Sequence, residues 1–476
     1  VDEEQVEISI DDALDEFEAS QGGFDDDTAY FNAEERDLAV GIATPPQLRD
    51  LLALVGLPRI YVKAITERLI IEGFRIGSDA GTDETLWAWF RANGLDTKST
   101  VAFIDSLVYG RSYVTIAAPG EADKENPMMV PDIPIIRVES PLAMYAKKDP
   151  RTGEIQWAVR VVTNEDGDQI AATMYYPDRT VLYTSVEGEL VEDQTINHGL
   201  GVVPVVDMTY EQNLTDTYGS SIITSEIRSI TDAMSRMLMN MQMTSELMAT
   251  PQRILFGTTV DEINSDNRTG LELYTASYIA VEDPNGKAMQ LPAAELRNFT
   301  EAISHMMKMA SAYTGLPPQY LSFQTDNPAS AEAIRSSETR LVRTCEAIGA
   351  QFGDSWEKVM RIALLVMGNQ LTLDHFQMET VWRDPATPTY QAKADAATKL
   401  YNNGQGIIPL EQARIDMGYT PEQRKQMEEW DRRSPLAQMS SMYGSMPEPE
   451  PSGEEVNNDP GGTGESDGGD SPPGNI

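Results

Sequence analysis

The spacing of apolar and polar positions divides the chain into a helical front, a strand-rich middle and a helical rear. Leu48, Leu51, Leu52 and Val55 recur at helical intervals. They predict a helix over 46–64, interrupted at Gly56 and Pro58 and resumed toward Arg68. Residues 82–93, carrying Trp87, Trp89 and Phe90, predict a helix, as do 98–109, which stop at Gly110. Strict alternation over 112–117 predicts a strand. From 133 to 208 alternation dominates: 134–138, 155–162, 171–176 and 180–184 read as antiparallel strands, split by turn-rich stretches at 149–153 and 164–167. The expected arrangement is a meander packed on the preceding helices.

A long helix is predicted over 219–248, on the order of 45 Å at helical rise. Met234, Met237, Leu238 and Met241 form a stripe along it, while Met239 and Met243 lie off the stripe. Ordinary core packing explains that pattern. So does packing against copies of the same helix, where pliable methionines tolerate sliding. A compact β-rich stretch follows, with strands over 253–257, 271–274 and 278–281 and a turn at 283–286. Helix is predicted again over 293–313.

The sharpest local signals lie between Ala310 and Val342. Thr314-Gly315 closes a helix, since glycine tolerates a left-handed cap. Pro317 and Pro318 forbid its continuation. Asn327 or Ser330 can cap the next helix, with Pro328 near its first turn, and that helix runs from about 329 to about 367. A plain helix–loop–helix hairpin has the same local features. Residues 386–430 predict further helix with a break at Asn402-Asn403-Gly404.

Composition changes the picture at the two ends. The chain of 476 residues carries a net charge of −40, and 41% of its residues are hydrophobic, enough for a sizeable core. The acid is concentrated in the first 27 residues and in the last 33, which hold no Lys or Arg. Such stretches bury too little apolar surface to order themselves. Residues 1–28 are therefore expected to be poorly ordered, apart from an amphipathic turn around Ile8, Leu14 and Phe17, and 436–476 disordered. Acidity of this degree also suits a halophile, but its concentration at the ends points to solvated tails around an ordinary body. It is the wrong sign for a tight DNA binder, whose affinity rests on Lys and Arg neutralising phosphates.

Candidate chemistry is sparse. Cys345, the single cysteine, allows no internal disulfide and reads as a small buried apolar residue among Leu341, Ile348 and Phe352, which suits a reducing origin. His198, His305 and His375 are far apart. Phosphate-loop, G-x-S-x-G, HExxH and paired-cysteine motifs are missing from the sequence, and abundant acidic pairs single out no glycosidase-like dyad. No basic-then-apolar leader is visible and no apolar run approaches the ~20 residues of a membrane span. These readings predict no enzyme, no cofactor and no metal.

Several stretches, in order, resemble one family. They are Thr314-Gly315-Leu316-Pro317-Pro318 followed by Asn327 to Val342 (NPASAEAIRSSETRLV), Glu67-Arg68-Leu69 with Glu72-Gly73-Phe74-Arg75, and Trp87 to Asp96. Leu107 to Val114, Tyr218-Gly219-Ser220-Ser221 with Ala249 to Arg253, and Trp382-Arg383-Asp384-Pro385 continue the series. Together these resemble the portal proteins of tailed bacteriophages, in the branch common among siphophages of actinobacteria.

The resemblance implies a mixed α/β, mainly α, portal-type fold assembled as a ring. It implies an α/β wing over 29–217, a first stem helix over 218–250, a clip over 251–292 and a second stem helix over 293–315. A tunnel loop over 316–328, a long wing helix and return over 329–385 and a helical crown over 386–435 complete it. It further implies a dodecamer at one capsid vertex, with a channel for double-stranded DNA packaging and ejection. The implied partners are further copies of the chain, the major capsid protein, the terminase large subunit, a head-completion or adaptor protein and a scaffold protein, with no membrane. The implied location is the virion, after synthesis in the host bacterial cytoplasm. The tunnel-loop residues would be Pro317, Pro318, Gln319, Tyr320, Phe323, Gln324, Thr325 and Asn327. Lys287, Arg297 and Lys308 would be basic contacts in the lumen, or else solvated surface charges. The alternatives are another oligomeric virion or connector protein with no DNA channel, and an acid-rich hydrolase.

Overall fold

The computed structural model describes residues 8–34, 54–77, 81–120, 132–212, 215–249, 253–257, 278–287, 295–321, 331–386, 390–401, 405–419 and 421–433. In chain order the helices are α1 (Ile10–Ser20), α2 (Phe24–Asn32), α3 (Leu57–Thr66), α4 (Glu84–Ala92), α5 (Leu95–Tyr109), α6 (Ser225–Ala249) and α7 (Leu296–Thr314). They continue with α8 (Pro318–Leu321), α9 (Ala331–Val366), α10 (Leu373–Phe376), α11 (Tyr390–Tyr401), α12 (Leu410–Met417) and α13 (Pro421–Arg433). The strands are β1 (Ile71–Arg75), β2 (Arg111–Ala117), β3 (Ile135–Glu139), β4 (Met144–Lys148), β5 (Ile155–Thr163) and β6 (Gln169–Tyr175). The others are β7 (Arg179–Val186), β8 (Glu189–Asn197), β9 (Val205–Thr209), β10 (Arg253–Phe256), β11 (Tyr278–Val281) and β12 (Glu379–Trp382). The chain divides into two compact units, 1–393 and 394–476.

In the first unit the expected strands form two sheets rather than one. β2 is the centre of a three-stranded antiparallel sheet, order β3-β2-β9, with Val114 opposite both Val138 and Val206. β4 to β8 form a separate five-stranded antiparallel meander. The sequence pattern missed β4, β8 and β9. They are short, or, in the case of β8, almost wholly exposed, so alternation is weak. Of these two sheets it is the three-stranded one that packs on α5 and α9.

The meander is covered by α1: the expected amphipathic turn around Ile8, Leu14 and Phe17 is a full helix, and residues 8–28 are ordered where little order was expected, while 1–7 lie outside the described residues. Ala13 and Phe17, four residues apart, face Trp157, Val159 and Met174. Ser9 caps the helix by accepting from the Asp12 backbone N–H at 3.1 Å. Asp11, Asp12, Asp15 and Glu18 are exposed on the outer face, while Glu16 pairs with Lys147 of β4 at 2.8 Å. α2 then pins this segment to α6: Asp27 pairs with Arg228, and Tyr30 donates to Asp232 at 2.7 Å.

The main core centres on α9, whose Leu341, Cys345, Ile348, Phe352, Trp356, Val359, Met360 and Ala363 are buried at steps of three and four. Phe103 stacks on Phe352 at 5.3 Å, and Phe90 meets Trp356 edge-on at 5.3 Å. β1 pairs antiparallel with β12, three hundred residues later in the chain. Gly349 and Gly353 open a notch on α9 for Trp382; a Cβ at Gly353 would lie 3.3 Å from the indole nitrogen. Cys345 is a free, buried thiol, pushed up to about 11 by its burial.

Other boundaries shift for local reasons. α3 begins at Leu57 with Pro58 in its first turn, so this proline starts a helix where an interruption was expected; residues 46–53 lie outside the described residues. α6 begins at Ser225, six residues after the predicted start. Gly219 before it takes φ +77° and lies against the carbonyls of Gly110 and Tyr210, a place where a Cβ would sit 2.5 Å from each oxygen. Among the described side chains of α6 the buried methionines are Met234 and Met239, one on the expected stripe and one off it. β10 and β11 pair in parallel; the expected strand at 271–274 lies outside the described residues.

In the second unit, α12 ends at Gly418 in the left-handed conformation, φ +88°. Arg414 joins Glu411 and Asp431, and Arg424 donates to Glu411 at 2.8 Å, so charge pairs link α12 to α13. The predicted break at 402–404 and the tail 436–476 lie outside the described residues.

Candidate functional site

The candidate site is the turn between α7 and α9. α6 and α7 run antiparallel, since Ile230 and Ala233 near the start of α6 line one shallow groove with Met306, Met309 and Tyr313 near the end of α7. At the α7 terminus Gly315 takes φ +72° and its N–H bonds the Ser311 carbonyl at 2.9 Å. Thr314 Oγ1 donates to the Ala310 carbonyl and accepts from the Leu316 N–H. Arg340, reaching from α9, donates to the Ala312 carbonyl at 2.9 Å and so caps the negative end of α7. That guanidinium explains the glycine a second time: a Cβ at Gly315 would come within 2.9 Å of Arg340 Nε.

Pro317 is buried and its carbonyl accepts from the Tyr320 N–H at 3.0 Å, which winds Pro318–Leu321 into the single turn α8. Gln319 Nε2 donates to Ser337 Oγ at 3.0 Å, and the Tyr320 hydroxyl donates to Glu338 Oε1 at 2.9 Å. Arg68 donates to the Tyr320 hydroxyl at 2.7 Å, to the Pro385 carbonyl at 2.6 Å and lies 3.4 Å from Glu338. Partial burial, and next the Glu338 carboxylate, push the Tyr320 phenol up, so it stays protonated and able to donate at neutral pH.

Of the tunnel-loop residues expected from the sequence, Pro317, Pro318, Gln319 and Tyr320 meet at this turn. Phe323, Gln324, Thr325 and Asn327 lie outside the described residues. The three basic residues do not gather there. Lys287 is exposed after β11. Arg297 is 81% exposed and pairs with Glu301 at 3.0 Å. Lys308 is exposed eleven residues further along α7. Eleven residues make three helical turns, about 16 Å, so Arg297 and Lys308 share a face. His305 is exposed on α7, His198 bonds the Leu200 N–H, and His375 closes a capping box with Thr372. Among the described residues no group of three His, Cys, Asp or Glu side chains is placed to hold a metal. None of the described helices is long and apolar enough to cross a membrane.

Sequence reasoning missed Arg68, Ser337, Glu338 and Arg340. The only signal at Arg68 and Glu338 was their presence in the family-like stretches. Nothing local announces a partner 270 residues away.

Residues 30–435 match the family described as phage portal protein, SPP1 Gp6-like. The portal protein of Mycobacterium phage D29 is 48% identical over 450 residues, covering 93% of this chain and 92% of that protein. The portal protein of Mycobacterium phage L5 is 47% identical over 444 residues, covering 91% and 90%. Among solved structures, a chain from the neck of a native gene transfer agent particle covers 83% of this chain and 99% of its own, at 14% identity and a TM-score of 0.39. That likeness is too slight to carry an argument. The match across residues 30–435 and the two mycobacteriophage relatives place the chain in the SPP1 Gp6-like phage portal protein family, as a structural component of the virion and not an enzyme.

Proposed function

We propose that the protein forms a ring of twelve copies at one capsid vertex, around a channel through which double-stranded DNA is packaged and later ejected. The observation that carries this reading is the family match over 30–435. In this reading α6 and α7 are the stem, the segment with β10 and β11 is the clip, and residues 316–328 are the tunnel loop. The α/β body with α9 is the wing and 386–435 the crown. The clip would meet the terminase motor and later a head-completion protein. Capsid protein and scaffold would meet the outside of the ring.

The physical chemistry is compatible with passage rather than capture. A duplex carries one charge per ~1.7 Å, and a chain of net charge −40 repels it. Arg297 and Lys308, spaced along one face of α7, would offer weak contacts to the phosphates. Phe323, Gln324, Thr325 and Asn327, with Lys287 on the clip side, are assigned to the lumen on the same reading.

The test is electron microscopy of the purified protein with native mass alongside. Twelve copies of the 52.6 kDa chain give a ring of about 630 kDa with a central channel. Replacing residues 322–326 by a Gly/Ser segment is expected to leave the ring intact and to reduce DNA packaging or retention. Normal packaging by that variant would remove the loop from the DNA path. Purified protein that stays a compact monomer or dimer, even with scaffold supplied, would favour a connector role without a channel.

A further inference from the structure

Three candidates stand out in the first unit. The apolar groove between α6 and α7 lies on the stem already proposed, and nothing in the structure points to a further occupant for it. The buried Arg111, between the rings of Phe24 and Tyr218, has an unpartnered Nε, but its Nη2 already donates to the Ser20 carbonyl at 3.2 Å and ties α1 to β2. The network around Arg68 carries an inference of its own.

Four separate stretches of chain converge on this one guanidinium. Arg68 follows α3; Tyr320 belongs to α8; Glu338 lies in the second turn of α9; Pro385 lies in the connection that leaves β12. The proton order is unambiguous: the guanidinium can only donate, so the Tyr320 oxygen accepts from Arg68 and its hydrogen goes to Glu338. The Arg68 and Glu338 side chains are 10% and 15% exposed, so the pair is shielded from salt and water. The planar fork lets Arg68 hold Tyr320 through Nη2 and the Pro385 carbonyl through Nη1 at the same time. Lysine has no such fork.

We infer that Arg68, Glu338 and Tyr320 are a latch of positioning residues that couples α8 to the backbone at Pro385 through the Arg68 fork, so that breaking the Tyr320–Arg68 bond loosens both the turn and the β12 connection. The inference deepens the proposed function, because Gln319 and Tyr320 of α8 belong to the tunnel loop of that reading; it rests on that reading only for its consequence in the phage. Gln319 holds the same turn through its bond to Ser337 rather than through Arg68 or the Pro385 carbonyl, so it supplies an internal control.

Hydrogen exchange on the full-length assembled protein tests the latch without any DNA. The reporters are the Tyr320 N–H, bonded to the Pro317 carbonyl, the Arg383 N–H, bonded to the Ile70 carbonyl, and the Ala386 N–H, bonded to Asp384. Tyr320→Phe removes only a hydroxyl on a part-exposed ring, so the fold survives. It is expected to speed exchange about tenfold at Tyr320 and several-fold at Arg383 and Ala386. Arg68→Lys is expected to speed exchange at both ends, since the charge remains but the fork is lost. Gln319→Ala is expected to speed exchange at Tyr320 alone. Faster exchange at Tyr320 with Arg383 and Ala386 unchanged in Tyr320→Phe would overturn the coupling. An equal response at both ends to Gln319→Ala would also overturn it, because general loosening of the turn would then explain the effect. Packaging assays on the same variants report separately on the DNA reading: exchange coupling with normal packaging leaves the latch standing and removes the loop's role in DNA passage.

Discussion

α9 and α7 carry the same kind of apolar periodicity and end in opposite circumstances. α9 buries Phe352, Trp356, Val359, Met360 and Ala363 completely, against α3, α4, α5 and the three-stranded sheet. α7 buries Ile303, Ala310 and Thr314, while Leu296, Met309 and Tyr313 stay 39–48% exposed. Periodicity reports which face of a helix is apolar. It does not report what covers that face. For α9 the cover is the rest of the same chain. For α7 it comes partly from α6, and the proposed ring would supply more from a neighbouring copy.

The largest effect that probes this contrast is a truncation on α9. Phe352→Ala removes a fully buried ring stacked on Phe103 and is expected to destabilise by about 3–5 kcal/mol. Urea unfolding reads this, and a loss below ~1 kcal/mol would mean that α9 is not the centre of the core. Next comes the joint between the body and α6. Gly219→Ala forces a side chain into the left-handed region and against two carbonyl oxygens. It is expected to lose about 1–3 kcal/mol and to loosen the first turn of α6, read by unfolding and by exchange at the Arg228 N–H.

A smaller effect is set by pH. Burial raises the Glu357 carboxyl above its ordinary value, against the bond it accepts from the Thr380 N–H. The folded state therefore holds the proton more tightly than the unfolded chain. That contribution to stability is complete below the ordinary carboxylate range and is lost as pH rises through the folded value. Glu357→Gln keeps an oxygen for Thr380 and has no charge to bury. It is expected to gain on the parent protein as pH rises from about 4 to about 7, in urea midpoints measured side by side. A gap that stays constant over that range would show that burial does not govern this group.

The smallest effect on the single chain is Tyr313→Ser on the exposed face of α7, expected within about 0.5 kcal/mol of the parent. The same change is expected to lower the fraction of full rings in native mass spectra. If ring formation is untouched, that face of α7 is not an intersubunit contact.

Local chemistry was enough for the turn. Gly315, Pro317 and Pro318 act through backbone dihedrals and a missing N–H, which need no distant partner, and the predicted end of α7 falls within one residue of the observed one. The bounds of α9 were legible within two residues for the same reason, helped by its unbroken periodicity over 36 residues. In the N-terminal segment the amphipathic turn around Ile8, Leu14 and Phe17 was legible, but its extent was underestimated because composition averages over faces. Two side chains, Ala13 and Phe17, outweigh the surrounding acids once a sheet is present to receive them. The site was half legible: Gln319 and Tyr320 were named from the sequence, but their partners Ser337, Glu338 and Arg68 were not.

The residue pattern alone dictated the helix stops, the long helices, the alternating middle and the acidic ends, because each depends on neighbours within a few positions. Family membership also follows from the order of its residues. The pairing of β1 with β12, the division of β2 to β9 into two sheets, the glycine notch for Trp382 and the meeting of four segments at Arg68 came only with the folded chain. Each of these is a contact between residues tens to hundreds of positions apart. Which partner meets which there is set by the packing of the whole body, and no window along the sequence contains both members.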